Sequence, residues 1–534
     1  MIRTDITVSI GYTEEELWTA VCSHLPVSIE EISEIRLLKR TLDSSDKSNF
    51  RYKLTVALSL SPEREAGLLK MRKRVSPCQS LTLPELECSL PYSPVVVGSG
   101  PAGLFAALRL AESGASPIVL ERGLSVDERV RKVKTFEKFS VLDPECNIQF
   151  GEGGAGTFSD GKLKVGSLDA YKYKVLSTFV SLGAPEEILY DSGAHLGTDK
   201  LALAVKCLRE RIISLGGSFI FGARLTDITV SESRVTGVEY IKDGKHEKLD
   251  TGAVILATGH SARDVFDMLY KKGAPMEAKS FGIGVRLEHK REYIDELMHG
   301  KEPPKELGAA SYHLVSHLDV GRSAYSFCMC PGGCVVAATS EEGCVVTNGM
   351  SLHARDGENS NAAILVSMTP ADYPSNSPLA GIELQRMIER SAYSAGGSSY
   401  FAPVQKLSDF LEGRKTTALG SVKPSYPIGY ELCEADRYLP RAVSETLRLA
   451  IRDFDAWLPG YLCPDAVMTG AETRSTSPVR ILRSDSCESV SISGLYPAGE
   501  GAGYSGGIVS SAVDGIHCAE KLILNENSHR GERI

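Results

Sequence analysis

Hydrophobic and polar positions alternate with a period of two in several parts of the first 90 residues, which predicts β-strands there. The segments 6–10, 35–39 and 52–60 each show this alternation. Thr13 and Glu16 have the spacing of a capping box, which predicts a helix that continues to about residue 23. We therefore predict a small α+β module over residues 1–90. A linker rich in proline and serine, residues 76–94, follows its last strand.

Residues 91–261 alternate short apolar segments with helical patterns, which indicates a parallel sheet covered by helices. The clearest helix, 198–215, has its apolar positions three or four residues apart and stops at a pair of glycines. Four strands are predicted after it, at 218–221, 226–231, 234–240 and 253–257. Asp243 and Gly244 predict a hairpin turn before the last of these strands.

The pattern changes twice more towards the carboxyl end. Residues 262–464 have irregular spacing and proline-rich breaks, and residues 465–534 return to glycine-rich turns and one last helix. We interpret the first segment as an inserted α+β substrate or cap domain. The predicted fold class is α/β, with a Rossmann-like nucleotide-binding domain split into residues 91–261 and 465–534, and with the small N-terminal α+β module in front.

The strongest chemical signal is a G-x-G-x-x-G turn between an apolar strand and a helix. Its first glycine permits a tight turn, its second lets the backbone approach a pyrophosphate, and its third lets the helix pack on the strand. The helix then directs its N-terminal N–H groups at the phosphates. An acid 23 residues after the first glycine stands where it can accept from a ribose hydroxyl. The dinucleotide contacts predicted here are Gly98, Ser99, Gly100, Pro101, Ala102, Gly103, Glu121 and Arg122.

A second glycine loop near the carboxyl end distinguishes FAD from NAD. It reads strand, acid, glycine loop and helix, an order in which flavin-binding proteins complete their site, with the acid on the ribityl chain and the helix N-terminus facing the flavin pyrimidine. The predicted contacts are Gly499, Glu500, Gly506, Gly507 and Ile508. Such proteins usually carry aspartate where this chain has Glu500.

Two internal segments support a flavin site. An Ala-Thr-Gly stretch ends the first part of the nucleotide domain and contributes Thr258 and Gly259, and the segment 150–163 is too rich in glycine for regular structure. From the latter we predict flavin contacts at Gly153, Gly154, Thr157, Asp160, Gly161, Lys162 and Leu163. The sequence has no second strand, G-x-G-x-x-G, helix and acid unit. The reductant is therefore either the substrate or NAD(P)H that diffuses to the flavin.

Six motifs together resemble a known family. They are GSGPAGLFAA from Gly98, FGEGGAGTFSDGKL from Phe150, SFCMCPGG from Ser326, NGMSLHARD from Asn348, GAETRSTSPVRI from Gly470 and PAGEGAGYSGGIVSSAVDG from Pro497. These resemble the uncharacterised FAD-dependent dehydrogenases, also called NAD(FAD)-utilizing dehydrogenases, of the glutathione-reductase-like two-dinucleotide-binding superfamily. The resemblance covers about residues 90–525. It implies FAD binding and oxidoreductase activity without naming a substrate.

Two candidates for reactive residues follow from the sequence. Cys328, Cys330 and Cys334 form a C-x-C-x₃-C array, which would hold a metal or cluster, act as a redox thiol near the flavin with Cys330 as the candidate, or pack in a buried turn. The array lacks a fourth ligand at a useful spacing, so we predict no metal site. Arg474 would bind a carboxylate substrate or the reduced flavin, or else form a structural ion pair with Glu472 or another acid.

Composition narrows the class of function. The chain has 534 residues with 59 Lys and Arg against 68 Asp and Glu, a net charge of −9, which gives no general reason to expect a nucleic-acid partner. It shows no apolar stretch long enough for a membrane span and no signal-peptide pattern, and its 13 cysteines fit a reducing cytoplasm. We expect a cytoplasmic FAD-dependent oxidoreductase with a small-molecule substrate. The alternatives are a flavin monooxygenase or an isoprenoid- or lipid-type reductase, an RNA-associated flavoprotein, and a redox sensor without catalysis.

Overall fold

The computed structural model describes residues 1–71, 74–163, 166–318 and 321–531, and it divides into two compact units. The smaller unit consists of Met1–Pro84, Lys162–His195 and His299–Gly308. The larger unit consists of Glu85–Gly161, Leu196–Met298 and Ala309–Ile534. In the described residues no helix is both long and apolar enough to cross a membrane.

The smaller unit contains a four-stranded antiparallel sheet. In spatial order its strands are Glu34–Asp43, Arg51–Ser59, Ile2–Ser9 and Ser76–Pro77. Alternate residues of the central strands are buried in one apolar core, as their period of two predicts. Its helices are Glu14–His24, Pro62–Leu68 and Ala170–Ser181.

The capping box that the sequence predicts in this unit is confirmed. The Glu16 N–H donates to the Thr13 hydroxyl at 3.2 Å, and the Glu16 carboxylate accepts from the Thr13 N–H at 2.8 Å. The sequence did not predict that residues 162–195 would join this unit. They do so along the edge strand, where Arg40 pairs with Asp191 at 2.6 Å.

A five-stranded parallel sheet forms the centre of the larger unit, which confirms the predicted α/β fold with a Rossmann-like core. In spatial order the strands are Leu495–Pro497, Val254–Leu256, Val95–Val97, Ile118–Glu121 and Ser218–Phe221. Every residue of the three central strands except Ile118 is buried, as expected for a sheet with helices on both faces. The helices of this part are Pro101–Glu112, Val126–Phe139, Gly197–Ser214 and Ile508–Gly531.

The predicted hairpin at Asp243 and Gly244 lies in a separate antiparallel sheet of three strands. These strands are Ala223–Ser231, Arg234–Lys242 and Lys245–Asp250. Both turn residues have positive φ, +50° and +73°, as a two-residue hairpin turn requires. The sequence missed the third strand because its side chains are almost all exposed and lack an apolar alternation.

The inserted segment forms a mixed sheet of seven strands. In spatial order these are Val315–His317, Ser323–Cys330, Asn359–Met368, Phe281–Lys290, Val467–Glu472, Ala402–Lys406 and Tyr430–Leu432. Two small sheets pair Met276–Ala278 with Val479–Ile481 and Cys334–Ala337 with Thr347–Met350. The helices are Arg263–Lys271, Arg291–His299, Ala380–Ala395, Leu407–Glu412 and Arg441–Trp457.

The seven-stranded sheet continues past residue 464, where the sequence predicted the return to the nucleotide domain. Val467–Glu472 lies between Phe281–Lys290 and Ala402–Lys406 and pairs with both. Its six residues are buried, so it completes the core of the inserted sheet. The chain therefore passes through the inserted domain once more before it reaches the second glycine loop, residues 499–507.

Candidate flavin-binding site

The predicted dinucleotide turn has the geometry of a strand, a glycine turn and a helix that begins at Pro101. Packing excludes side chains at its first and third glycines. A Cβ on Gly98 would lie 2.3 Å from the Ala257 carbonyl oxygen, and one on Gly103 would lie 1.9 Å from the Gly98 carbonyl oxygen. Gly100 differs, because a Cβ there would meet nothing closer than the Gly154 Cα at 3.7 Å. The turn therefore leaves space at Gly100, next to a helix N-terminus that favours negative charge.

Glu121 stands where the sequence places it, at the end of the second strand, but its carboxylate is bonded to the protein. One oxygen accepts from the Ser99 N–H at 2.9 Å and from the Ser99 hydroxyl at 2.7 Å. The other accepts from the N–H groups of Gly123 and Gly151 at 2.8 and 3.0 Å. A carboxylate offers about four acceptor positions, so these bonds use its capacity. Glu121 thus joins the dinucleotide turn to the glycine loop, and the ribose contact stays a prediction.

Arg122, the next predicted contact, is also held by neighbouring side chains. Its guanidinium pairs with Asp264 at 2.7 Å and lies over the Phe150 ring at 4.3 Å from the centroid. This places the arginine beside the start of the glycine loop. A direct contact of Arg122 with the cofactor remains a prediction.

The glycine loop is organised by Arg129, which the sequence analysis missed. The side chain is fully buried and donates to five backbone carbonyls at 2.7–3.3 Å, those of Asn147, Ile148, Gly151, Glu152 and Gly154. Burial lowers the pKa of Arg129 to about 10, so the guanidinium is still charged at neutral pH. Charge-assisted bonds to carbonyls hold the loop in a conformation with positive φ at Gly151, Gly153 and Gly154.

This loop packs against both other glycine segments. The Gly153 N–H donates to the Ser99 carbonyl at 2.8 Å, and a Cβ on Gly154 would lie 3.0 Å from the Gly100 Cα. A Cβ on Gly156 would lie 3.1 Å from Cγ1 of Ile508, the first residue of the last helix. Segments that lie 54 residues before this loop and 352 residues after it therefore meet in one place.

Further along the loop, Thr157 and Asp160 have structural partners. The Thr157 hydroxyl is buried and lies 3.5 Å from the Glu152 carbonyl oxygen. Asp160 is fully buried, pairs with Arg355 and accepts a bond from the Ser351 hydroxyl. Gly161 ends this part of the larger unit with φ +67°. Ser351 and Arg355 of the inserted domain therefore hold the end of the glycine loop, by a hydrogen bond and an ion pair with Asp160.

Two predicted flavin contacts, Lys162 and Leu163, belong to the smaller unit. Lys162 forms an isolated antiparallel bridge with His195, and Leu163 is buried. Their contact with a cofactor remains a prediction.

The segments around Gly259 and Gly499 lie side by side, next to the strand Val95–Val97 and the helix Pro101–Glu112. The Ala257 N–H donates to the Val97 carbonyl at 2.8 Å, and a Cβ on Gly501 would lie 2.6 Å from Gly259. A Cβ on Gly499 would lie 2.7 Å from the Cβ of Ala102. Gly506 and Gly507, in contrast, have nothing within 4 Å of an added Cβ. The start of the last helix thus presents open backbone, as a flavin contact requires.

Glu500 carries the strongest electrostatic signal in this loop. Burial raises the pKa of its carboxyl to about 7, against opposing effects of the Gly507 N–H, the Lys279 charge and Thr476. At neutral pH the carboxyl is therefore divided between its protonated and ionised forms. A group of this kind is able both to donate to and to accept from a hydroxyl-rich chain.

Arg474 lies in a buried ion pair, which favours the structural alternative for this residue. Its guanidinium is 2% exposed and donates to both oxygens of Glu389 at 3.0 Å. The partner is Glu389, because Glu472 pairs with Arg286 at 2.6 Å instead. Arg474 also donates to the hydroxyls of Ser261 and Ser340 at 3.1 and 2.6 Å.

Arg263 shares the same carboxylate, and no local pattern in the sequence indicates this. It binds Glu389 at 2.8 Å and Glu341 at 3.0 Å, and Arg386 also binds Glu341. Together with Arg474, Arg263 lowers the pKa of Glu389 against the effect of burial. Burial, Arg474 and Arg263 lower the pKa of His260 to about 3, so this imidazole next to Gly259 is neutral at physiological pH.

The structure brings two of the three clustered cysteines together. The Sγ atoms of Cys328 and Cys330 are 3.9 Å apart, and burial raises the pKa of Cys334 to about 12. In the described parts of the chain, Glu341, Cys344 and Glu389 have ligand atoms within 4.8 Å of one another, as a metal ion requires, and the three clustered cysteines do not form such a group. The arginines that pair with Glu341 and Glu389 already supply positive charge there.

Comparison with known proteins agrees with the site. Residues 280–475 match the model of FAD-dependent protein, C-terminal domain-like, and residues 93–127 match an FAD binding domain. An uncharacterised protein of Clostridium beijerinckii is 44% identical over 528 residues, which cover 97% of this chain and 98% of that protein. Digeranylgeranylglycerophospholipid reductase 1 of Methanococcoides burtonii is 25% identical over 294 residues, 54% of this chain and 60% of that protein.

Two solved structures that match this chain have low sequence identity and low TM-scores. A 3-ketosteroid-delta4-(5alpha)-dehydrogenase of Rhodococcus jostii has 14% identity and a TM-score of 0.35. The match covers 84% of this chain and 99% of that chain. Quinol fumarate reductase of E. coli has 13% identity and a TM-score of 0.35, covering 82% of this chain and 71% of its own.

The glycine turn on a parallel sheet and the matching FAD-binding model define an FAD-binding protein. With its C. beijerinckii relative, the chain belongs to one family of FAD-dependent proteins, whose C-terminal domain model covers most of the inserted sheet.

Proposed function

We propose that this protein is an FAD-dependent oxidoreductase of the glutathione-reductase-like superfamily that acts on a small molecule in the cytoplasm. The observation that carries the proposal is the room at Gly100, where an added Cβ would make only an ordinary contact of 3.7 Å with the Gly154 Cα, in a glycine loop that also packs against the start of the last helix. When bound, FAD would supply hydride or electron transfer at its N5 atom.

The chain's own groups have separate tasks in this proposal. The N-terminus of helix Pro101–Glu112 would bind the pyrophosphate, since its backbone is accessible at Gly100. Glu500 would hold the ribityl chain with a carboxyl of pKa about 7. The N-terminus of helix Ile508–Gly531 would favour the negative charge that builds up on the flavin pyrimidine during reduction.

Arg474 would act as a positioning residue. Its bonds to Ser261 and Ser340 fix two hydroxyls, and Ser261 follows directly after His260 and Gly259. Because the guanidinium is 2% exposed and already paired, we assign it to ordering this side of the site and not to binding the substrate.

An anaerobic reductant screen tests the proposed activity. Purified protein with FAD would be mixed with NADH, NADPH and metabolite pools, and loss of the visible flavin absorbance would be recorded. We expect NAD(P)H, as a diffusible reductant, or a metabolite to bleach the flavin at a rate that saturates as the concentration of the reductant increases. Free FAD at the same concentration is the control. A flavin that only dithionite reduces would contradict a catalytic role and favour a sensor.

A second candidate function is the reduction of an unsaturated lipid. The observation in its favour is the 25% identity to a protein named digeranylgeranylglycerophospholipid reductase. The test is anaerobic: flavin in the protein is first reduced with dithionite, and a geranylgeranyl lipid in detergent is then added. Reoxidation of the flavin together with a saturated lipid product would support this candidate. Unchanged reduced flavin beside intact lipid would exclude it.

A further inference from the structure

The strand Ser323–Cys330 has an irregular end at its two last cysteines. Phe327 pairs with Ala363, and Cys330 pairs with Asn361. Two residues therefore lie between Phe327 and Cys330 on this strand, where the partner strand has only one. This extra residue is a β-bulge, and within it Cys328 has a φ of +42°. A positive φ is unfavourable for a residue with a side chain, by about 1–3 kcal/mol, and is maintained only where the surroundings enforce it.

The bulge brings two thiols close together. Two residues apart on a regular strand, Cα atoms are separated by about 6.5–7 Å, at or beyond the upper end of the range for a disulfide. Here the Sγ atoms of Cys328 and Cys330 are 3.9 Å apart. Closing this gap to a disulfide bond of about 2.05 Å requires a movement of about 2 Å. Cys330 is fully buried, and Cys328 is partly exposed.

A buried positive charge lies beside this pair. The Arg286 guanidinium donates to the Cys328 carbonyl at 2.8 Å and binds both oxygens of Glu472 at 2.6 and 2.8 Å. Burial opposes the charge, but Glu472 and then the two thiols raise the pKa of Arg286, so it stays charged. Fixed positive charge stabilises the negative charge that sulfur carries during thiol–disulfide exchange.

The thiol pair is next to residues that hold the glycine loop. A Cβ built on Gly333 would lie 3.1 Å from the Cβ of Cys330 and 3.0 Å from the Cβ of Ser351. Cys330 and Ser351 are therefore close neighbours, and Ser351 donates to Asp160 at the end of the glycine loop. On the same side, a Cβ on Gly332 would collide with the carbonyl oxygen of Arg355, the ion-pair partner of Asp160.

We propose that Cys328 and Cys330 form a dithiol–disulfide couple that exchanges two electrons with the bound flavin. This inference rests on the proposed FAD function. When the two thiols are oxidised, one S–S bond forms and two electrons and two protons leave the sulfur atoms. Oxidised flavin would accept both electrons and one proton, and the other proton is released to water. In the reverse direction reduced flavin returns two electrons, the S–S bond breaks and each sulfur takes up a proton. The step requires no other reactant, and it gives the protein a second two-electron store.

The first test counts electrons. The FAD-bound protein is oxidised with diamide, freed of reagent, and titrated with dithionite without oxygen. We expect the wild type to take up two equivalents, four electrons, per flavin, and the Cys330→Ser variant to take up one. The Cys328→Ser variant should also take up one equivalent. Because Cys328 is only half-buried, folding is less sensitive to this substitution. FAD content and the circular dichroism spectrum verify that each variant is folded.

Cys487→Ser is the matched control, because the chain holds another pair of neighbouring thiols. A hydrogen bond from Cys518 lowers the pKa of Cys487 to about 7, so this second pair is itself a candidate for oxidation. We expect Cys487→Ser to retain the two equivalents of the wild type. If the second equivalent disappears in Cys487→Ser and remains in Cys330→Ser, the proposal is wrong.

The second test reads the thiols directly and needs no turnover. The protein is alkylated with iodoacetamide under denaturing conditions and digested. The mass of the peptide that contains Cys328 and Cys330 is then measured by mass spectrometry. Because Cys334 lies on the same peptide, the labels are compared between the two states: we expect two fewer labels after diamide than after flavin reduction by light, and the loss of two hydrogen atoms from the unlabelled cysteines. FAD bound with the same number of labels in both states would refute the thiol couple and leave the FAD function intact. A protein that binds no FAD would refute the proposed function and this inference with it.

Discussion

Replacement of Gly100 by valine should separate cofactor binding from folding. Gly100 has φ −73° and ψ −177°, a conformation open to any residue, and a Cβ there is 3.7 Å from its nearest neighbour, the Gly154 Cα. The residue is the N-cap of the dinucleotide helix, where an aliphatic side chain is less favourable than glycine by about 1 kcal/mol. We expect the melting temperature of the FAD-free protein to fall by only about 1 °C.

The effect on FAD should be far larger. The valine methyl groups would occupy the space that lets a pyrophosphate approach the backbone. Displaced phosphates lose hydrogen bonds to backbone N–H groups, and each such bond to a charged group contributes about 1.5–3 kcal/mol. Loss of two bonds amounts to about 3–6 kcal/mol, which raises the Kd for FAD about a hundredfold to more than ten-thousandfold.

The assay is isothermal titration of FAD-free protein with FAD, supported by thermal melts. Gly67→Ala is the matched control, since a Cβ at Gly67 meets nothing within 4 Å, and it should bind FAD like the wild type. Gly103→Ala should fail differently, by loss of folding, because its Cβ would lie 1.9 Å from the Gly98 carbonyl oxygen. Wild-type affinity in Gly100→Val would refute the assignment of this turn as the pyrophosphate site.

Three further changes test the surrounding interactions. Arg474→Ala should lower the free energy of unfolding by about 3–5 kcal/mol, because it removes one of the cations that neutralise the buried Glu389; an unchanged denaturation midpoint with lost turnover would make Arg474 catalytic instead. Arg129→Lys should lower FAD occupancy and expose the glycine loop to proteolysis, since lysine cannot reach five carbonyls; equal occupancy and equal protease resistance would contradict this role. Glu500→Gln should change the pH dependence of FAD-free protein. The folded pKa of about 7 lies above that of the unfolded chain, so the contribution of Glu500 to stability falls as pH rises from about 4.5 to about 7 and is then constant. The melting temperature of the glutamine variant should exceed that of the wild type by an amount that grows across this window, equivalent to about 1–3 kcal/mol; a difference independent of pH would contradict the raised pKa.

The sequence predicted the parts of the site that are local in the chain. Gly98 and Gly103 are determined by a turn between one strand and the next helix, so their spacing alone indicates their roles. Glu121 was placed correctly at the end of its strand. Its bonding partners were not predicted, because Gly151 reaches it from a loop 30 residues further on.

Residues that act through long-range contacts were missed. Glu389 pairs with Arg263 and Arg474, which are 126 and 85 residues away in the chain, and Arg129 binds carbonyls 18 to 25 residues away. None of these pairs has a periodic spacing that would reveal it. The inserted domain raised the same difficulty, since the strand Val467–Glu472 shows its place in the sheet only through its pairing with Phe281–Lys290.

The most direct test of the central claim is the identity of the flavin that copurifies with the protein. The protein is purified, heated to release its cofactor, and the supernatant is separated by chromatography beside FAD and FMN standards. Because we propose that the glycine turn at Gly98–Gly103 binds the pyrophosphate of the cofactor, and FMN has no pyrophosphate, we predict FAD in an amount equal to that of the chain. FMN alone, or no flavin even after FAD is supplied, would contradict the account.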